Sequence, residues 1–310
     1  MKFGASTGAQ RVSWPQVREL VLRADRLGLD SFWSFDHLLP LGGDIADPVL
    51  ETWTMLGALA EATERIRLGT LVTANTFRAP ALLAKMAATV DHLSGGRLTV
   101  GLGAGYYPVE HEAYGLAFPD RPRRAAMLDE ACRILKGLWG PEPRFSFEGE
   151  HYRLVDAPFA PACVQPGGPP LLIGGAGERH TFDTVARYAD QWNLPDGSTG
   201  ITPERFAQKW AVLQRRCAEV GRDPATLETN IGLFVILDPR HDRALERRRQ
   251  FAAAQGMPET RISAGDPSAL VEEIRAYEEA GVQHFVITVL AAINDDALEL
   301  FAERVVSVWR

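Results

Sequence analysis

Cysteine is scarce in this sequence of 310 residues: only Cys132, Cys163 and Cys217 occur, far apart and odd in number. No C-x-x-C pair or Cys/His cluster exists, so neither a disulfide framework nor a structural zinc site is indicated. Long apolar runs are missing as well, and none is sufficient to cross a bilayer. A long basic run is also absent: the net charge is −7 with the two signs interspersed, whereas nucleic-acid binding needs a concentrated cationic surface. Met1-Lys2-Phe3-Gly4 opens on a strand-like stretch without a charged-then-apolar signal region, which makes the cytoplasm the expected location. Repeats, low-complexity tracts and composition breaks do not occur, so residues 1–310 read as one domain.

What the sequence has is hydrophobic mass, 46% of residues, enough to bury a large core. Strand-like and helix-like patterns alternate almost from end to end. Apolar or β-branched runs fall at Lys2–Ser6, Ser31–Phe35, Ile66–Thr73, Leu98–Leu102, Pro170–Gly174, Gln191–Leu194, Glu228–Leu237 and His284–Val289. Between them lie helical spacings such as Val17–Leu27, Leu50–Ala62, Ala81–Leu93, Ala125–Trp139 and Phe206–Val220. Ser13-Trp14-Pro15 opens the first helix, Gly28 closes it, and Pro80 opens the third. Eight strands alternating with helices suit a closed parallel (β/α)₈ TIM barrel. An open doubly wound sheet is the alternative, but the first strand runs into Gly4-Ala5-Ser6-Thr7-Gly8 rather than a dinucleotide fingerprint. Three segments stand as insertions: a hairpin over Arg144–Leu154 turning near Gly149, the connection Pro158–Pro170, and an irregular stretch at Gly256–Asp266.

Barrel active sites gather at the carboxyl ends of strands. The second strand ends in Asp36-His37, an acid and an imidazole that point apart; one can fix a cofactor ring while the other trades protons. A buried turn-capping Asp beside a backbone-satisfied His is the competing reading. The third strand leaves through Ala74-Asn75-Thr76-Phe77-Arg78, a polar exit. The fourth runs into Gly103-Ala104-Gly105-Tyr106, where small residues let a flat ring approach the backbone. The fifth runs into Gly175-Ala176-Gly177 before a helix, a phosphate cradle or else a plain strand–helix turn. His92 reads as structural, His111 between Glu110 and Glu112 as solvated surface, Arg247-Arg248-Arg249 as an exposed helix face, and Trp53 and Trp192 as packing. No H-x-H follows the first strand, so no metal is expected.

Taken in order, Phe32-Trp33-Ser34-Phe35-Asp36-His37-Leu38, Leu68–Thr73, Asp91-His92-Leu93-Ser94-Gly95-Gly96-Arg97-Leu98, Gly101–Gly105, Leu172–Gly175 and Tyr188–Asn193 resemble the luciferase-like monooxygenase superfamily over nearly the whole chain. Within it the sequence is most similar to the branch that uses coenzyme F420, a 5-deazaflavin. The resemblance implies a bacterial luciferase-like barrel that passes hydride between F420 and a small organic substrate. It implies that Asp36 contacts the ring, that His37 transfers protons, and that a non-proline cis bond joins Leu71 and Val72, ahead of Thr73, against the ring face. Gly103, Ala104, Gly105, Gly175, Ala176 and Gly177 would meet the cofactor's side chain and phosphate. The sugar-phosphate dehydrogenases of the branch have an acidic residue after the glycine loop and a tryptophan after the Asp-His pair; here Tyr106 and Leu41 stand there, which argues against a sugar phosphate. The other readings on this barrel are an FMN-dependent monooxygenase served by a separate cofactor reductase, and a non-catalytic flavin-binding relative. A homodimer is compatible with each.

Overall fold

The computed structural model describes residues 1–195, 200–289 and 296–310. Its strands are β1 (Lys2–Thr7), β2 (Ser31–Asp36), β3 (Arg67–Ala74), β4 (Leu98–Gly103), β5 (Arg144–Glu148), β6 (Arg153–Pro158), β7 (Leu171–Gly174), β8 (Gln191–Leu194), β9 (Glu228–Leu237), β10 (Ile262–Gly265) and β11 (His284–Val289). The α-helices are α1 (Trp14–Arg26), α2 (Thr52–Ala62), α3 (Pro80–Leu93), α4 (Pro108–Ala113), α5 (Arg121–Leu138), α6 (Thr181–Tyr188), α7 (Pro203–Glu219), α8 (His241–Gln255), α9 (Pro267–Glu279) and α10 (Ala297–Arg304). Parallel pairing runs β9-β11-β1-β2-β3-β4-β7-β8, and β8 pairs back onto β9. The barrel of eight strands is therefore closed, and the open sheet is excluded.

The helix starts are built from local chemistry. Asp120, Thr202 and Asp266 each accept a backbone N–H from the first turn of the helix they precede, and each is followed within two residues by a proline. Ser13 donates its backbone N–H to Gln16 Oε1 at 2.9 Å and so starts α1. Gly28, at φ 75°, ends that helix.

Inside the barrel, Trp33 is fully buried against Leu172 and Val286, with Leu71 and Val72 packed on top. Glycine makes room for it: a Cβ on Gly69 would lie 2.5 Å from the Trp33 ring. The hairpin expected near Gly149 is present as antiparallel β5–β6. Its turn is fastened to α5 by Glu130, whose carboxylate accepts the backbone N–H groups of Glu150, His151 and Tyr152. One expectation is corrected: Gly256–Asp266 is not wholly irregular, because β10 lies within it and pairs in parallel with β9 outside the closed ring. Cys132, Cys163 and Cys217 are all free thiols.

Candidate active site

The exits of β2, β3 and β4 converge at the carboxyl end of the barrel, joined by the short helix α4. His37, just past β2, keeps 12% of its side chain exposed, while Glu110 on α4 keeps 1%. Glu110 Oε1 lies 3.0 Å and Oε2 3.2 Å from His37 Nδ1. The same carboxylate accepts the Leu38 N–H at 2.9 Å. The other ring nitrogen, Nε2, faces the Tyr106 hydroxyl at 3.5 Å. Tyr106 and Tyr107 stand edge-on to the imidazole, with ring centroids 5.6 and 6.3 Å away. An imidazole held at one nitrogen by a buried carboxylate and presented at the other is equipped to accept and return a proton.

Asp36 is in the wall and not on its surface. It is 1% exposed, and Arg78 grips it through Nη1 at 2.6 Å and Nη2 at 3.3 Å. The two partners shift in opposed senses. Burial raises the Asp36 carboxyl although Arg78 pulls it down, while Asp36 and then Glu51 hold the Arg78 guanidinium above its ordinary value against burial. The two-point contact at 2.6 and 3.3 Å is the geometry of an ion pair. Thr73 is buried as well, its hydroxyl accepting from Trp53 Nε1 at 2.9 Å. Trp53 thus packs as expected, as does Trp192, whose Nε1 donates to Gly175 O at 2.9 Å.

The Leu71–Val72 peptide bond is cis, at the position implied by the resemblance. The β3–β4 register shifts between Gly69 and Thr73, so the strand bulges there. The glycines around it serve this bulge first. A Cβ on Gly101 would sit 1.8 Å from Thr70 O, and one on Gly103 would sit 2.7 Å from Val72 Cγ2. Gly105, at φ 77°, faces Thr76 Oγ1, 3.0 Å from where its Cβ would be.

The phosphate cradle shrinks in the structure. Gly175 N–H is taken by Asn193 O at 3.0 Å, so it is part of the sheet and not a free donor. Beyond it, Ala176 and Gly177 lead into the start of α6, where a Cβ on Gly177 would lie 2.9 Å from Thr181 Oγ1 and 3.7 Å from Arg121 Nη2. A hydroxyl and a guanidinium therefore meet at Gly177, two donors of the kind that fit a phosphate.

Two readings of histidine come out differently. His92 is structural, its Nε2 2.7 Å from Ala162 O. His111 is not on the surface: it is fully buried, donating Nδ1–H to Tyr107 O at 2.8 Å and accepting from Thr76 Oγ1 at 2.6 Å. Glu110, Arg78 and Thr76 were not singled out as site residues from the sequence. The arginine run on α8 is paired, Arg247 with Asp238, Arg248 with Glu259 and Arg249 with Glu246. Among the described residues no group of three or more His, Cys, Asp or Glu side chains could hold a metal ion, and no helix is long and apolar enough to cross a membrane.

A closed parallel barrel with a carboxylate-held imidazole at its carboxyl end defines an α/β-barrel enzyme. Residues 1–261 match the luciferase-like monooxygenase family, and the chain belongs to it. It is 31% identical to F420-dependent glucose-6-phosphate dehydrogenase 1 of Rhodococcus jostii (strain RHA1), over 97% of this chain and 96% of that protein. It is 29% identical to an F420-dependent glucose-6-phosphate dehydrogenase of Amycolatopsis mediterranei (strain U-32), over 100% and 99%. Its fold is similar to that of an F420-dependent secondary alcohol dehydrogenase solved with an F420-acetone adduct, at TM-score 0.86 and 23% identity, covering 99% and 98% of the two chains.

Proposed function

We propose that this protein is a coenzyme F420-dependent oxidoreductase that passes hydride between the deazaflavin and a small organic alcohol or carbonyl compound. The observation that carries the reading is the His37–Glu110 pair at the barrel mouth, with Nδ1 of the imidazole held at 3.0 Å and Nε2 turned toward Tyr106. Bound deazaflavin supplies a ring carbon as hydride donor or acceptor, which favours two-electron over oxygen chemistry. His37 Nε2 takes the hydroxyl proton when an alcohol is oxidised and returns it when a carbonyl is reduced. Leu71 and Val72 form the platform under the ring. Asp36 and Thr73 support that platform from within the wall, through Arg78 and Trp53. Gly103, Ala104 and Gly105 flank the cofactor's side chain, and Ala176, Gly177, Thr181 and Arg121 take its phosphate.

Glu110 places a carboxylate against His37 although Tyr106 occupies the position where the sugar-phosphate enzymes have their acid. The titration of the purified protein with F420 and, separately, with FMN tests the reading. Tight F420 binding with weak or absent FMN binding is expected. Tight FMN binding without response to F420 would reject it in favour of the flavin monooxygenase.

A further inference from the structure

We infer that Glu110 is a positioning residue that fixes the tautomer of His37, an inference that rests on the proton-transfer role given to His37. Its carboxylate is 1% exposed and has two jobs at once. One oxygen, Oε2, accepts the Leu38 N–H at 2.9 Å, and Oε1 lies 3.0 Å from His37 Nδ1. A backbone N–H can only donate, and an ionised carboxylate can only accept. The imidazole nitrogen facing Glu110 therefore carries the proton, and the lone pair of the neutral ring is left on Nε2, toward the open mouth.

Glu110 is itself held in place. The adjacent His111 clamps α4 from the inside, tying Tyr107 O to Thr76 Oγ1 at 2.8 and 2.6 Å. Gly105 leaves space for that threonine hydroxyl. The exits of β2, β3 and β4 are thus braced on one turn of helix, and the catalytic imidazole takes its orientation from this brace.

Glu110→Gln separates charge and tautomer from shape. A glutamine has one acceptor oxygen and one donor NH₂ where the carboxylate has two acceptors. If its oxygen stays on Leu38 N–H, its NH₂ meets His37 Nδ1 and drives the proton to Nε2, where it blocks proton acceptance. If the amide turns over, its NH₂ opposes the Leu38 N–H, an unsatisfied buried clash.

The test is long-range ¹H–¹⁵N NMR of the imidazole nitrogens in ¹⁵N-labelled, cofactor-free protein at about pH 8, where an unperturbed imidazole is neutral. The His37 signals are assigned by their loss in His37→Ala. The wild type is expected to show a protonated Nδ1 and an unprotonated Nε2, Glu110→Gln a reversed or mixed pattern, and Glu110→Asp the wild-type pattern. With F420 and glucose 6-phosphate or 2-propanol as probes, Glu110→Gln should lose turnover on the order of 10²–10⁴-fold, as for a mis-set acid–base imidazole. KM and cofactor affinity should stay near wild type. A wild-type His37 protonated on Nε2, or a folded Glu110→Gln with an unchanged His37 pattern, overturns the inference. Undiminished turnover by His37→Ala instead overturns the proton-transfer role, while the tautomer pattern still decides what Glu110 does.

Discussion

Asp36 and His37 are neighbours in sequence with opposite surroundings, because successive side chains at the end of a strand point to opposite sides. His37 reaches the open mouth; Asp36 turns into the wall and meets Arg78 at 2.6 Å. Substituting Asp36 by alanine strands a buried guanidinium with, among the described residues, only Glu51 as counter-ion. Asp36→Ala should therefore cost about 3–5 kcal/mol of stability, measured by urea unfolding, with any loss of cofactor affinity following from a loosened wall. Undiminished stability with abolished F420 binding would return Asp36 to the direct ring contact that the resemblance implied. Asp36 and His37 were legible because the barrel rule points to strand ends. Glu110 was not: it lies 73 positions from His37, and no spacing rule links two strand exits. Its neighbour His111 looked exposed for a local reason. Glu110 and Glu112 flank it in sequence, but on the short helix residues 110 and 111 face inward while 112 faces solvent.

At the scale of elements, β3, β4 and β7 are shaped to one another. The bulge at Leu71–Val72 pushes Val72 toward β4 and β7, and Gly103 and Gly174 give way to it: a Cβ on Gly174 would meet Val72 Cγ1 at 3.0 Å. Gly103→Ala adds a methyl 2.7 Å from Val72 Cγ2, an overpacking expected to cost about 1–3 kcal/mol. Val72→Ala in the same chain should recover most of that loss, because the two methyl groups compete for one space. Additive losses in chemical denaturation of the single and double variants would show that Gly103 answers to something else, such as backbone geometry. The same elements show how far a sequence can be read. Gln191–Leu194, Glu228–Leu237 and His284–Val289 begin and end where the apolar runs do, because strands buried on both faces of a barrel read as continuous apolar runs. β10 escaped notice: Ile262-Ser263-Ala264-Gly265 is short, and Ser263 and Gly265 break any run. The choice between a phosphate cradle and a plain turn at Gly175 is not legible locally, because the pairing of its amide with Asn193 O depends on the tertiary register of β7 and β8.

Across the whole molecule the barrel divides its polar chemistry between two ends. The carboxyl end carries a carboxylate and an imidazole with a nitrogen turned outward; the amino end carries a carboxylate and an imidazole that are both fully engaged. There Glu228 accepts from Lys2 Nζ at 2.7 Å and from His284 Nδ1 at 2.9 Å. His284 Nε2 lies 2.8 Å from Ser31 Oγ, which also accepts from Trp33 Nε1 at 2.7 Å. This network ties the starts of β1, β2, β9 and β11 and continues into the Trp33 core. Burial alone would raise the Glu228 carboxyl, but the hydrogen bonds from His284 and Lys2 outweigh it and push it down to about 2. A carboxyl depressed in the folded state stabilises the fold fully above its unfolded value, near 4.3 for an ordinary glutamate, and that contribution is lost as the pH falls toward the folded value. Most of the loss should appear between roughly pH 5.5 and 3, amounting to about 2 kcal/mol from this one group. Urea unfolding of the wild type and of Glu228→Gln across that range checks it, because glutamine keeps the size and one acceptor but does not titrate. The stability gap between the two proteins should narrow by that amount as the solution is acidified. Parallel curves would mean that the floor of the barrel holds together without the Glu228 charge, through the hydrogen bond between His284 and Ser31 and the one that Trp33 donates to Ser31.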